Sequence, residues 1–279
     1  MSCRFALGTA NFHDYYGKTL DPQFCDKILD KAIASNIKTF DTSHSYGMAE
    51  KILSDKLRNI SDRDIEIICK TGIPDWRDNM ALSVARFPNK HITLMWHNWA
   101  DGQSDLNLLW EMSQVAEKNK CNFGVSTYGP WDPLKYLDLQ IGNTVQIEFN
   151  ILNWRHMLDV LPKARSMGCK VYLRSVLQRG YLTNRRAPFV DNNEIKLAPI
   201  LKELYLLADS NGMTLEELAL RFVIELAPEQ RIIIGCDTPQ EIDKNLKYQG
   251  ALSEPVTEKI KDLTWSIDFK LTDLRHWKG

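Results

Sequence analysis

The sequence predicts an α/β chain folded as a single closed (β/α)8 TIM barrel, and three observations carry that expectation. Eight short runs rich in β-branched and aromatic residues recur from end to end. Amphipathic helical patterns lie between them, and no Pro/Ser-rich linker, composition break or low-complexity tract divides the 279 residues. Strands that alternate with helices pair in parallel, and eight βα steps can eliminate both sheet edges by closing on themselves. Such barrels occupy about 250 residues as one unit, so a single domain over residues 1–279 is expected. An open doubly wound sheet is the competing architecture.

The elements follow in order. "RFALG" (4–8) reads as the first strand, and "PQFCDKILDKAIASN" (22–36) as a helix, with Phe24, Ile28, Leu29 and Ile33 at near-helical spacing. "IKTFD" (37–41), "IEIICK" (65–70), "HITLMWH" (91–97), "NFGVS" (122–126), "TVQIEF" (144–149), "KVYLRSV" (170–176) and "RIIIG" (231–235) are the remaining strands, and "LNLLWEMSQVAEKNK" (106–120) is a second clear helix. The last two strands are separated by a long connection, with helical runs at 196–209 and 214–227 and a polar stretch, "TNRRAPFVDNNE". Its residues 183–195 read either as a flap over the barrel mouth or as a plain surface loop.

Composition narrows the function classes. Lys plus Arg number 35 against 36 Asp plus Glu, which leaves no excess of positive charge to hold a phosphate backbone and argues against a nucleic-acid partner. No stretch approaches the roughly 20 apolar residues of a membrane span, and the start "MSCRFALGTANF" has no apolar signal region. A cytoplasmic protein is expected. Cys3, Cys25, Cys69, Cys121, Cys169 and Cys236 form no CxxC pair, so buried thiols are expected rather than disulfides or a metal site. Oligomeric state is not specified by the pattern.

Catalytic groups of a barrel sit at the C-terminal ends of its strands. Asp41, Lys70 and His97 occupy those ends on strands two to four, and Tyr46 follows Asp41 by five residues at the head of a helix. Each alone has an ordinary reading: a helix cap, a solvated lysine, a packed ring. Together they suit proton transfer to a carbonyl oxygen. A phenol with its ordinary pKa near 10 needs a nearby cation to act as acid and base. Lys70 supplies the cation, Asp41 anchors it, and His97 orients the carbonyl by a hydrogen bond.

The segments "FDTSHSYGMAEKIL", "IICKTG" and "LMWHNW" resemble, in chain order, the Asp, Tyr, Lys and His motifs of the aldo-keto reductase superfamily. "GVSTYGP" (124–130), "VQIEFNILN" (145–153) and "IIIGCDTPQEIDKNL" (232–246) are similar to later family motifs, and "LRSVLQRGYLT" (173–183) to a bacterial branch with Arg-Ser in place of aromatic-Ser. The resemblance spans nearly the whole chain. It implies an NAD(P)H-dependent oxidoreductase acting on an aldehyde or ketone, or on the corresponding alcohol, with Asp41, Tyr46, Lys70 and His97 as catalytic tetrad. Small sugars, sugar derivatives or secondary-metabolite carbonyls are the implied substrates. A cofactor-binding regulatory subunit with little turnover is the alternative, and a lyase or hydrolase sharing only the barrel a further one.

For the cofactor the resemblance implies Gly8, Thr9 and Asp41 near the nicotinamide ribose, and Ser126 and Gln146 on the carboxamide. Arg174, Ser175 and Leu177 would lie along the nicotinamide and pyrophosphate, with Gly235, Asp237, Glu241 and Asn245 toward the adenosine end. The lack of a GxGxxG fingerprint agrees with this and disfavours a doubly wound dehydrogenase. Thr127 stands where relatives carry Asn, and Arg174 where they carry an aromatic ring that stacks on nicotinamide. Its guanidinium could stack in the ring's place, or reach a phosphate or an anionic substrate. Glu241 stands where NADP-dependent relatives place an arginine against the 2'-phosphate. The family cofactor is NADP(H); a carboxylate at 241 opens the way to NAD(H) unless Lys244 or Arg231 compensates. The chain starts directly on its first strand, which leaves Met1 to Cys3 to close the barrel bottom. His13, His44, Trp99, Tyr128 and Asn150 are expected to line an open substrate mouth.

Overall fold

The computed structural model describes residues 3–12, 20–155, 157–184, 192–248 and 250–277. Eight parallel strands close into a barrel in sequence order: β1 Phe5–Gly8, β2 Thr39–Ser43, β3 Glu66–Thr71, β4 His91–Trp99, β5 Asn122–Thr127, β6 Thr144–Glu148, β7 Lys170–Arg174 and β8 Arg231–Gly235. The ring shuts where Phe5–Gly8 pairs residue by residue with Ile232–Gly235. Outside lie α1 Pro22–Ala34, α2 Ala49–Leu57, α3 Trp76–Arg86, α4 Leu106–Lys118, α5 Asp132–Leu139 and α6 Met157–Ser166. They are followed by α7 Asn192–Ser210, α8 Leu215–Leu226, α9 Pro239–Lys247, α10 Glu254–Thr264 and the short α11 Phe269–Thr272. Among the described residues no helix is long and apolar enough to cross a membrane.

Three strand ends lie beyond their expected positions in a way that matters for the site. Parallel pairing carries β2 on to Ser43, opposite Lys70, β3 on to Thr71, opposite Trp96, and β4 on to Trp99, opposite Thr127. Asp41, Lys70 and His97 are therefore not the final residues of their strands, and the residue two beyond Asp41 presents its side chain to the same face. Tyr46 closes a 3-10 turn, His44–Tyr46, rather than opening a helix. The buried stripe of α1 is Cys25, Ile28, Leu29 and Ala32. Phe24, expected inside, is exposed.

The period-two alternation sorts the strand residues into two cores. Ala6, Ile68, Met95, Tyr172 and Ile233 form a small cluster inside the barrel, while Phe5, Leu7, Ile67, Cys69, Leu94, Val145 and Leu173 belong to the larger one under the helices. At the N-terminal end of the barrel Glu66 Oε1 accepts from Lys170 Nζ (3.2 Å) and Thr93 Oγ1 (3.4 Å). Met1 and Ser2, expected to help close this end, and the flap positions 185–191 lie outside the described residues. All six cysteines are free thiols, three of them only half-buried.

Candidate active site

Residues that share the inward parity of Ile68 and Met95 become polar toward the C-terminal end of the barrel: Asp41 and Ser43 on β2, Lys70 on β3, His97 on β4, Ser126 on β5, Gln146 and Glu148 on β6, and Arg174 on β7. Lys70 Nζ donates to Asp41 Oδ1 at 2.5 Å, with both side chains almost wholly buried. A buried ion pair needs its remaining hydrogen-bonding positions filled, and Gln146 fills them: its Nε2 donates to Asp41 Oδ2 (2.7 Å) and its Oε1 accepts from Lys70 (3.3 Å) and from Ser126 Oγ (3.3 Å). Burial pushes the lysine pKa down and the Asp41 carboxylate opposes that shift. Tyr46 is buried above the pair, with Lys70 Nζ 5.0 Å from its ring centroid and the His97 ring edge-on to it at 5.8 Å.

His97 Nδ1 lies 3.3 Å from both Ser43 Oγ and Ser45 Oγ. Burial, reinforced by the charges of Lys70 and Arg174, holds its pKa well below the ordinary histidine value. The imidazole is neutral at physiological pH.

The floor is open at the end of β8 and close-packed at the end of β1, where a Cβ on Gly8 would meet Ile233 Cγ2 at 3.0 Å. Gly8 pairs with Gly235, and a Cβ placed on Gly235 would come no nearer to any atom than 4.0 Å, at Asn11 Oδ1. Asn11 Nδ2 ties the two strand ends together by donating to Cys236 O (2.7 Å) and Asp237 Oδ1 (2.8 Å). Its Oδ1 is buried without a hydrogen-bond partner in the described structure. Thr9 turns away, its hydroxyl donating to the Asp41 carbonyl at 3.0 Å.

After β7 the chain passes through Ser175, Gln178 and Arg179 at φ of 57°, 48° and 51°, a conformation costly for non-glycine residues and held only by its surroundings. Asn150 Nδ2 donates to Ser175 O (3.3 Å) and Gln178 Oε1 (2.8 Å), and Gln178 Nε2 donates to Thr272 O at the end of α11. Leu177 precedes this 3-10 turn. Asn150 is therefore an anchor of the turn rather than a mouth-lining residue.

Arg174 does not lie free for a ligand. It donates to Thr127 O (2.6 Å) and Ser175 Oγ (3.0 Å), lies 3.7 Å from Glu148, and stacks 3.9 Å from the Tyr128 ring centroid. Burial raises the Glu148 pKa against the pull of Arg174. Arg275, paired with both Asp273 oxygens, lies 4.6 Å from the same Tyr128 ring.

Two other expected lining residues face elsewhere. Trp99 is buried edge-on against Tyr136 of α5. His44 Nε2 meets Ser83 Oγ of α3 at 2.9 Å and Glu50 at 3.3 Å. His13 lies outside the described residues.

At the start of α9, Glu241 Oε2 accepts from the Asp237 N–H at 2.8 Å, and Asn245 is buried against Cys236. Lys244 is paired with Glu216 of α8. Arg231 stands at the opposite end of β8, donating to Cys3 O at 3.1 Å, and does not compensate for Glu241.

Sequence reading missed Asn11, Ser43, Ser45, Glu148, Gln178, Asp273 and Arg275. Period two from Asp41 and Gln146 would have flagged Ser43 and Glu148.

A sequence model of the Aldo/keto reductase family matches residues 4–264. The chain is 24% identical to L-galactose dehydrogenase of Arabidopsis thaliana, covering 84% of each protein. It is 20% identical to the NADH-specific methylglyoxal reductase of Escherichia coli, over 81% of this chain and 83% of that one. The glycerol dehydrogenase AKR11B4 of Gluconobacter oxydans superposes with a TM-score of 0.74 at 20% identity, over 93% of this chain and 90% of its own.

Proposed function

The chain belongs to the aldo/keto reductase family, and on that premise we propose that it moves a hydride between a nicotinamide dinucleotide and the carbonyl carbon of an aldehyde or ketone, or runs the reverse oxidation. One observation supports this above the rest: the buried Asp41–Lys70 pair, closed by Gln146, lies beneath Tyr46 and beside a neutral His97. The dinucleotide, when bound, supplies or accepts the hydride.

In this reading Tyr46 gives the carbonyl oxygen its proton from Oη. The Lys70 ammonium favours the phenolate left behind, and Asp41 keeps that ammonium charged in a buried place. His97 donates from Nε2 to the same oxygen and fixes its direction. Gln146 and Ser126 hold each other next to the pair, where they can meet a carboxamide. The open space at Gly235, with the unpartnered Asn11 Oδ1, fits an extended dinucleotide passing over Gly8. The turn at Ser175 and Leu177 would hold the pyrophosphate, the place barrels commonly use for phosphate, while Arg174 stays engaged with Thr127, Glu148 and Tyr128. Asp237, Glu241 and Asn245 would face the adenosine. Glu241, with Arg231 remote and Lys244 paired to Glu216, repels a 2'-phosphate and accepts from a ribose hydroxyl, so NADH is used at least as well as NADPH. Small polyhydroxylated or oxo-substituted carbonyls are the substrate class, in keeping with relatives named for galactose, methylglyoxal and glycerol.

A panel of such carbonyls and alcohols, followed by absorbance of the reduced cofactor with NADH and NADPH in turn, tests the proposal. Tyr46→Phe should keep dinucleotide affinity and lose about 10² to 10⁴ in turnover. Wild-type turnover in that variant, or a dinucleotide-binding wild type with no turnover across the panel, would count against catalysis by this site.

A further inference from the structure

The hydroxyl pair beside His97 carries an inference that rests on the reading just given. Ser43 Oγ lies 3.0 Å from Lys70 O, and because a carbonyl only accepts, the Ser43 hydrogen is committed there. The same oxygen accepts the Ser45 N–H at 3.2 Å. Toward His97 Nδ1, 3.3 Å away, Ser43 therefore presents only a lone pair. Ser45 Oγ lies at the same distance from Nδ1, and its hydrogen has two places to go: Nδ1, or Ser43 Oγ at 2.9 Å.

These counts allow two arrangements. If Nδ1 carries the ring hydrogen, it donates to a serine oxygen, and Nε2, which makes no hydrogen bond to any described residue, is an acceptor. If Nδ1 is bare, Ser45 supplies the hydrogen it needs and Nε2–H becomes a donor. Only the second can hydrogen-bond a substrate carbonyl oxygen.

We propose that Ser45 is a positioning residue: its hydroxyl donates to His97 Nδ1 and holds the neutral ring as the Nε2–H tautomer, ready to donate into the barrel mouth. Burial of the ring beside Lys70 and Arg174 supports this by excluding the doubly protonated form. The rest follows from Ser43 having no hydrogen to spare. Without the Ser45 hydroxyl, the ring is expected to reverse, with Nδ1–H donating to Ser43 Oγ.

The tautomer can be read without substrate. In protein labelled with 15N-histidine, long-range proton–nitrogen correlation distinguishes the two ring nitrogens, and a His97→Gln variant identifies the signals. Wild type should show Nε2–H. Ser45→Ala should move the population toward Nδ1–H and lower kcat about three- to tenfold, the range expected for one hydrogen bond, with melting temperature and dinucleotide affinity unchanged. Ser45→Thr, which keeps a hydroxyl, should restore both the tautomer and the rate. A wild-type ring already protonated at Nδ1, a Ser45→Ala spectrum like wild type, or a shifted tautomer with undiminished kcat would each overturn the assignment. Failure of the wild type to reduce any carbonyl would instead strike at the proposed activity, and the tautomer measurement would still decide the role of Ser45.

Discussion

Two histidines close to Tyr46 are held neutral by their surroundings, and the consequence can be measured as stability against pH. Burial dominates at both His97 and His44; at His44 it outweighs the attraction of Glu50. A histidine whose folded pKa is depressed binds fewer protons in the native state than in the unfolded chain, where its pKa is about 6.5. Its contribution is complete above that value and is lost as pH falls through the folded value, at up to about 1.4 kcal/mol per pH unit for each ring. Melting temperature should therefore drop as pH is lowered from about 7 toward 5, and His97→Asn should flatten that drop; an unchanged slope would mean that His97 ionises freely. At this scale Asp41, Lys70 and His97 were legible because they share one face of neighbouring strands. Asn11, Gln178 and Arg275 were not, since each acts through a partner far away in sequence, as Asn11 does across 225 residues to Cys236.

The turn after β7 is the element most dependent on others. Its three left-handed residues are held by Asn150 from the chain after β6 and by Thr272 at the end of α11. Gln178→Ala would take the donor from the buried Thr272 carbonyl and leave the Asn150 amide only its longer bond to Ser175 O, at about 1 to 3 kcal/mol. A lowered denaturation midpoint together with weaker dinucleotide binding is expected; unchanged binding with lost stability would separate the turn from the cofactor. The strands were legible from their apolar runs, but their ends were not. Backbone pairing, rather than side-chain type, takes β2 to Ser43 and β4 to Trp99. Phe24 shows the same limit in a helix, where the partner surface selects Cys25 and Ala32 as the buried positions.

Across the whole molecule the polar mouth rests on an apolar layer of Ala6, Ile68, Met95, Tyr172 and Ile233, which separates the Asp41–Lys70 pair from the Glu66–Lys170 pair at the other end of the barrel. Fold class was legible because eight βα steps leave few ways to avoid a sheet edge. The way the chain after β8 returns to the site was not, because nothing in a helical pattern names its docking partner. Trp154 Nε1 donates to Thr264 Oγ1 at 2.9 Å, Arg155 to Ile267 O, and Gln178 to Thr272 O, while Trp277 meets the Tyr181 ring edge-on at 5.1 Å. A chain stopped after residue 263 should retain much of its helical circular dichroism and lose dinucleotide affinity by at least about tenfold, since the turn after β7 then lacks the Thr272 carbonyl. Protein synthesis gives that dependence a temporal meaning. All eight strands leave the ribosome before residues 264–277 do, so a nascent barrel can close while the turn after β7 is still unsupported, and a message truncated near its end would yield a folded barrel whose turn lacks its Thr272 partner.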